Sequence, residues 1–296
     1  MITHCPSCRT DRCSPLFVKN GCHIRSCRSC GTWFVADPPS AERLRGIYGA
    51  TYFEDRLAQH ASDASKAAAQ RAATANARRR LALIRRFAPR GRHLLDVGCG
   101  TGTFLSVARE SYPCCGVDVS ADAVAVVRER LGVEAHAGDL VALDLPGGSF
   151  DVITLFDVIE HVLEPGAWLR AVRRLLAPRG IVVVTTGDTD SLACRVTGRW
   201  WHLMTPPEHL TFFSRRGLTE MMTRTGLVVE HVSHQPVAAN VGYMAAKLAD
   251  VIGWPTRWLP RAVSLLGLGA IDMKVNLLDV LTLVARRGGS DRRESD

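Results

Sequence analysis

His93-Leu94-Leu95-Asp96-Val97-Gly98-Cys99-Gly100-Thr101-Gly102 leads directly into Phe104, Leu105, Val107 and Ala108. A short apolar run, a turn rich in glycine and apolar residues returning at helical spacing read as strand, tight turn and helix. Glycine lets the backbone bend sharply and approach a ligand with no Cβ in the way. The turn therefore lets a nucleoside-bearing cofactor sit over the carboxyl end of this first strand.

Downstream, Cys114-Cys115-Gly116-Val117-Asp118 makes a second strand that ends in a carboxylate, placed to accept hydrogen bonds from both hydroxyls of a ribose. The glycines are spaced G-x-G-x-G rather than G-x-G-x-x-G, and no third glycine opens the helix at the spacing used for pyrophosphate. A cofactor without pyrophosphate is expected. Further strands near 133–136, 150–155 and 181–185 alternate with helices at 103–110, 121–131 and 164–177, followed by a helix at 214–225 and a strand at 227–233. The pattern predicts an α/β fold with a mostly parallel sheet covered on both faces. The apolar segment Asp279 to Ala285 is expected to complete seven strands, and Arg286 to Asp296 to form a polar tail.

Four stretches together, Leu94 to Gly102, Gly116-Val117-Asp118-Val119-Ser120, Gly138-Asp139-Leu140 and Phe150-Asp151-Val152-Ile153, resemble the class I S-adenosylmethionine-dependent methyltransferases. That resemblance implies a Rossmann-like sheet and S-adenosyl-L-methionine as cofactor. It also implies that the glycine turn and Asp96 order the methionine part, that Asp118 holds the ribose, and that Asp139 and Leu140 border the adenine. Val119 and Phe156 are counted with the same site. Leu155-Phe156-Asp157-Val158-Ile159-Glu160-His161-Val162 resembles the D-x-I-E-H segment of small-molecule and sugar methyltransferases. His161 is a candidate general base, since a hydroxyl nucleophile loses its proton as it attacks a sulfonium methyl; the alternative is a histidine that only fixes a loop. Trp200-Trp201-His202 and Pro206 to Ser214 resemble the acceptor-pocket region of those enzymes, which adds His209 as a second catalytic candidate and His202 and Glu208 as alternatives.

Six of the ten cysteines fall before Gly31, and Cys5/Cys8 and Cys27/Cys30 form two Cys-x-x-Cys pairs. Each knuckle aims two thiolates at one point, and two knuckles supply the four soft ligands that tetrahedral zinc favours. His4 to Cys8 and Cys27 to Gly31 resemble a zinc ribbon. Residues 1–36 are assigned to that ribbon, with a short hairpin between the knuckles, and Cys13 and Cys22 as extra thiols. A rubredoxin-type iron centre or a redox disulfide uses the same residues. Four thiolates leave no open coordination position, so the ribbon's expected role is structural or for docking.

Residues 37–91 are expected to form a helical linker or cap, and residues 92–290 the methyltransferase domain, in which 190–275 carry acceptor-site and cap elements. Between Ala64 and Leu95 there is no acidic residue among many basic ones, and Ala77, Leu81, Ile84 and Ala88 lie on one helical stripe, with Pro89 and Gly91 ending the helix. This is either a basic surface for phosphates or a solvated helix face packed by its stripe. Tyr48, Tyr52 and Phe53 form an aromatic cluster that covers the cofactor or merely packs.

The 37 Lys+Arg against 29 Asp+Glu give a net charge of +8, which suits an acidic substrate, nucleic acid or an anionic membrane surface, or serves solubility alone. Met1 leads into polar residues and cysteines, so no leader is read and a cytoplasmic location is expected. The apolar stretch Val241 to Ile271 is interrupted by Lys247, Asp250, Arg257 and Arg261 and by Pro255 and Pro260, which argues against a transmembrane span and leaves peripheral membrane contact open. No Gly-x-Ser-x-Gly, phosphate-binding Gly-Lys-Ser/Thr or paired hydrolytic carboxylates are found. The leading expectation is methyl transfer to a small-molecule acceptor, with a sugar, glycan intermediate or acidic molecule as candidates. The alternatives are an RNA methyltransferase that grips phosphates with the ribbon and the arginines, and a non-catalytic zinc-ribbon interaction protein.

Overall fold

The computed structural model describes residues 1–47, 63–88, 93–252 and 258–288; Tyr48, Tyr52, Phe53, Pro89 and Gly91 lie outside them. The chain opens with three strands, β1 (Cys13–Lys19), β2 (Cys22–Cys27) and β3 (Trp33–Val35), then helices α1 (Ala41–Ile47) and α2 (Asp63–Phe87). The alternating part follows as β4 (Leu94–Val97), α3 (Thr103–Ala108), β5 (Cys114–Asp118), α4 (Ala121–Leu131), β6 (Glu134–Ala137), β7 (Phe150–Phe156), α5 (Pro165–Leu175) and β8 (Leu176–Gly187). Beyond it come α6 (Leu192–Thr197), β9 (Thr211–Phe212), α7 (Arg215–Arg224), β10 (Leu227–His234), β11 (Val237–Asn240), α8 (Val241–Ile252), α9 (Leu259–Leu265), β12 (Asp272–Val275) and β13 (Val280–Arg287).

Seven strands form one sheet in the order β10-β13-β8-β7-β4-β5-β6. The pairs from β8 to β6 are parallel, while β13 enters antiparallel between β8 and β10. The expected seventh strand is therefore present, inserted next to the sheet's edge. Side chains alternate between two faces, as the period of a strand requires. Leu95, Val97, Ile153 and Leu155 pack with Trp168 and Leu169 of α5 and Leu218 and Met222 of α7. Leu94, Val152, Ile181 and Val183 pack with Leu81 and Ile84 of α2, Phe104 and Leu105 of α3, and Val124 and Val127 of α4. The stripe read on α2 is thus the face it buries against the sheet. Four of its six arginines have intramolecular partners: Arg71 pairs with Asp272, Arg79 bonds the Pro236 carbonyl, Arg80 pairs with Asp157, and Arg85 bonds Ser111.

The N-terminal strands do not stand apart as a satellite. A second sheet runs β1-β2-β3-β9, so two residues from far along the chain close it, with Trp33 opposite Phe212 and Phe34 opposite Thr211. Ile24, Val35, Trp201, Met204 and Phe212 fill the joint. The capping serine of α7, Ser214, donates to the Cys30 carbonyl and accepts from Gly217 N at 2.9 Å, so this helix starts against the second knuckle. Ala41 and Leu44 of α1 and Tyr243 of α8 reach the same large cavity as the sheet's strand ends. Among the described residues no helix is long and apolar enough to cross a membrane.

A Cβ added at Gly217 would lie 2.0 Å from the buried Thr32 Oγ1, which itself donates to Ser7 Oγ at 3.2 Å. Gly217→Ala should therefore lift the knuckles off α7 and cost about 1–3 kcal/mol of stability. A denaturant midpoint equal to that of the wild type would show that the two parts are not packed this tightly.

Candidate active site

The parallel strands β4, β5 and β7 end side by side, and a cavity of about 970 Å³ opens over those ends. One end is lined by Gly98, Gly100, Asp118, Val119 and Asp139, the middle by Phe156 and Asp157, and the other end by Glu160, His161, Glu208 and His209. This is where an open α/β sheet places ligands, because the chain leaves the strands in opposite directions there.

Gly98 makes the close approach possible. Its φ of +73° is a conformation that side-chain-bearing residues rarely adopt, and a Cβ would lie 2.3 Å from Val158 Cγ2. Gly98 and Cys99 both donate their N–H to the Val117 carbonyl, at 2.7 and 3.1 Å, which ties the turn to β5. The Asp118 carboxylate accepts Gly100 N–H at 2.8 Å on Oδ2 and Ser120 N–H at 2.9 Å on Oδ1. Burial raises its pKa and these backbone donors oppose the rise. Each oxygen retains a lone pair toward the cavity, as a ribose diol requires. Asp139 accepts the Val141 N–H at 2.8 Å and lies on the wall beyond.

Three candidates serve the site from behind its wall. Asp96 is almost wholly buried, accepts Thr154 Oγ1–H at 2.6 Å, and has its pKa pushed by burial to about 7. Cys99 is buried against Gly116. Gly102, at the head of α3, packs on Leu131. The Leu140 side chain is fully buried in the sheet's core, so an adenine edge would meet Gly138, Asp139 and Val141, and Leu140 only through its backbone. Its apolar character marks a core position; sequence spacing alone does not distinguish that from a ring contact.

At the far end, His161 Nδ1 donates to the Glu208 carbonyl at 3.0 Å and His209 Nδ1 donates to the Leu203 carbonyl at 2.7 Å. A carbonyl can only accept, so in both rings Nδ1 carries a proton. The rings meet edge to face with centroids 4.6 Å apart. His202 lies near the buried Asp279, 3.4 Å away. Asp157 adopts a positive φ of 59° at the end of β7; its Oδ1 accepts from Thr185, and its Oδ2 pairs with Arg80 at 2.5 Å. Arg80 also stacks over Phe156, 4.4 Å from the ring centroid. Glu160 is buried, its pKa is raised to about 8 by burial first and Asp157 second, and its Oε2 makes no hydrogen bond of normal geometry. Glu160 lies inside the D-x-I-E-H run, where the sequence alone assigns it no role; its burial and its closeness to His209 emerge only in the fold.

The cysteine pairs converge on one point. Cys5 and Cys30 Sγ are 3.6 Å apart, Cys8 and Cys27 Sγ 3.5 Å, and all four lie within 4.8 Å of one another. A tetrahedron with metal–sulfur bonds of ~2.3 Å has edges of roughly 3.8 Å, so the set fits a zinc-sized ion. Cys13 and Cys22 are outside this group, on β1 and β2.

A methyltransferase domain family matches residues 68–232, more than half of the chain. A ubiquinone biosynthesis O-methyltransferase from Cereibacter sphaeroides is 32% identical over 163 residues, covering 48% of this chain and 66% of the relative, just under two thirds of its length. The same-named protein of Ruegeria pomeroyi is 31% identical over 182 residues, covering 53% and 73%. Among solved structures, magnesium protoporphyrin IX methyltransferase from Synechocystis PCC 6803, with bound S-adenosylhomocysteine, superposes with a TM-score of 0.54 at 14% identity, covering 84% of this chain and all of that one. The YcgJ protein of Bacillus subtilis gives 0.53 at 17% identity, covering 72% and 100%. At these identities the structures speak for the fold.

Burial lifts the Asp96 carboxyl from 3.8 to about 7, so between those values the folded protein holds a proton that the unfolded chain has released. Stability contributed at this position therefore falls as pH rises through that window and levels off above it. Asp96→Asn keeps an acceptor for Thr154 without the charge. Chemical denaturation from about pH 4 to pH 8 should show the variant gaining on the wild type as pH rises; a constant difference would mean that Asp96 is not held in this way.

Proposed function

This chain belongs to the methyltransferase domain family, the class I S-adenosylmethionine-dependent enzymes, and from that premise we propose that it transfers the methyl of S-adenosylmethionine to a hydroxyl of a small molecule. The carrying observation is a single cavity that has Gly98, Gly100 and Asp118 at one end and His161 and His209 at the other. In this reading Asp118 accepts the ribose hydroxyls, Asp139 and Val119 border the adenine, Gly98 and Gly100 leave room for the methionine part, and Phe156 lies between cofactor and acceptor. Asp96 orders the glycine turn from behind.

Methyl transfer is an in-line displacement at carbon, so the protein's main work is to align acceptor oxygen, methyl and sulfur and to exclude water. The hydroxyl proton must also be removed, and His161 and His209 are the candidate bases at that end of the cavity. The relatives named as O-methyltransferases of ubiquinone biosynthesis support oxygen as the accepting atom. A sugar or glycan intermediate suits the polar groups Glu164, His202 and Glu208, with Leu163, Leu203 and Tyr243 as its apolar wall. Asp157, Glu160, Glu164 and Glu208 line this end, and among the described residues no Lys or Arg lines the cavity, which disfavours an acidic acceptor. Four of the six arginines of α2 are bonded within the chain, which weakens the reading of this helix as a grip for RNA phosphates.

The four cysteines are assigned one structural zinc. Their closed set supplies no open coordination position, so the metal fixes the knuckles against α7 and β9. Purified protein should carry one zinc per chain, and Cys27→Ser should release it and lower the melting temperature; full zinc retention by the variant would overturn the assignment.

Asp118→Ala removes two charge-assisted hydrogen bonds of roughly 1.5–3 kcal/mol each, which predicts S-adenosylmethionine and S-adenosylhomocysteine binding weakened more than about tenfold. Calorimetric titration of both ligands tests this directly. Unchanged affinity would remove the ribose role, and no binding by folded, zinc-loaded wild type would remove the methyl-transfer reading itself.

A further inference from the structure

Between β10 and β13, which pair directly with each other, the chain leaves the sheet for residues 235–279. The family match ends at residue 232, so this insertion lies beyond it. The insertion folds as one unit. β11 pairs antiparallel with β12, α8 packs on α9, and the turn Leu268–Ala270 closes on the start of α8, where Val241 N–H donates to the Ile271 carbonyl at 3.0 Å. Its inner side is fastened to α2: Asn76 donates to the Ala238 carbonyl at 3.0 Å and accepts from Ala238 N–H at 2.7 Å, and Arg71 pairs with Asp272 at 3.2 Å.

The outer side is apolar. Leu265 is 89% exposed and Leu266 71%, and Leu268, Ile271, Leu277 and Leu278 are exposed with them. Single large apolar side chains scattered over a surface are ordinary, but a run of them within one short insertion marks a contact surface. Asp272 turns toward α2, so strand alternation sends its neighbours Ile271 and Met273 to the opposite face. Arg261 stands one helical turn before Leu265 on the same face of α9, and Lys274 follows in β12; both are exposed. From Val251 to Ile271 there is no acidic residue, and the next one, Asp272, is held by Arg71. The surface therefore combines aliphatic side chains with positive charge. Leucines are under-represented among the residues that carry protein–protein affinity, whereas aliphatic groups flanked by basic ones suit an anionic bilayer, whose acyl boundary takes the apolar groups and whose phosphates take the cations.

We propose that this insertion docks the protein on an anionic lipid surface, with Leu265 and Leu266 entering the boundary between headgroups and acyl chains and Arg261 and Lys274 meeting the phosphates. The contact is peripheral, since among the described residues no helix is long and apolar enough to cross a membrane, and α8 and α9 are both short. The Arg261 stem lies along the apolar surface while its guanidinium stays among the headgroups. Attraction to the phosphates is screened by salt and the apolar contribution is not, so binding weakens as salt is added without vanishing. Tyr243 of α8 and Val280 of β13 flank the exposed residues in the chain, and both line the cavity. The docked unit thus carries part of the wall of the acceptor end.

The test is co-sedimentation of the full-length, zinc-loaded protein with vesicles of phosphatidylcholine containing phosphatidylglycerol, and with vesicles of phosphatidylcholine alone. The expected result is binding to the anionic vesicles, weakened at least about tenfold by the double variant Leu265→Asp, Leu266→Asp and by Arg261→Glu, Lys274→Glu. These side chains are too exposed for their replacement to disturb the core, so both variants should keep the wild-type melting temperature. No vesicle binding by the wild type, equal binding to the two vesicle types, or binding that neither variant alters overturns the proposal. Sedimentation equilibrium on the same samples reads the rival occupant: a dimer that the Leu265, Leu266 variant dissociates, in a wild type that leaves vesicles alone, would assign the face to a second copy of this chain.

Discussion

Two main-chain oxygens, those of Glu160 and Leu210, join three parts of this molecule. The Glu160 carbonyl takes the N–H groups of Leu210 and Thr211, the Leu210 carbonyl takes the N–H of Val35, and Thr211 and Phe212 continue as the strand that pairs with β3. The loop after β7, the segment bearing His209 and the edge of the N-terminal sheet are therefore a continuous hydrogen-bonded path. Buried backbone groups cannot be left unpaired cheaply, so moving any of the three breaks partners in the others. The end of the cavity lined by His161 and His209 is tied into this path.

The cofactor end is built on a different constraint, the burial of negative charge. Asp96 and Asp118 sit within the shell of the sheet, where desolvation pushes both carboxyls upward. They are handled differently. Asp118 receives two backbone N–H groups and faces the cavity, so it stays a strong acceptor for a ligand. Asp96 accepts a threonine hydroxyl from β7 and does not line the cavity. Two acidic strand-end residues that look alike in sequence therefore do different work, and backbone donors rather than residue type separate them.

That difference indicates what could be read before the structure. Strand, glycine turn and helix from Leu94 to Ala108 were legible because a short apolar run gives way to a glycine-rich turn and then to apolar residues at helical spacing. β13 was legible from its apolar run, although not its place between β8 and β10. What escaped was set by distant parts of the chain. β9 is two residues long and carries no periodicity, yet it fixes the N-terminal sheet to the site. Leu140 looked like a ring contact and is core; Cys99 and Gly102 support the turn from behind it. Glu160 lay in plain view, but its significance comes from burial and from a histidine on another loop, neither of which spacing encodes.

The same path changes how the cysteine site should be understood. An appended ribbon would lend the enzyme a docking surface and could lose its metal with local consequences. Here the second knuckle accepts the capping serine of α7, β3 pairs with β9, and β9 continues from the residues bonded to Glu160. Disorder in the knuckles would thus reach His209 and Glu160 through hydrogen bonds, while Asp118 and the glycine turn, anchored on β4 and β5, share none of those bonds. Coupling of this kind runs through contiguous contacts with defined geometry rather than through distance alone. The N-terminal sheet does not line the cavity itself; it backs the segment that carries His209 through the pairing of β3 with β9 and the bond from Val35 N–H to the Leu210 carbonyl.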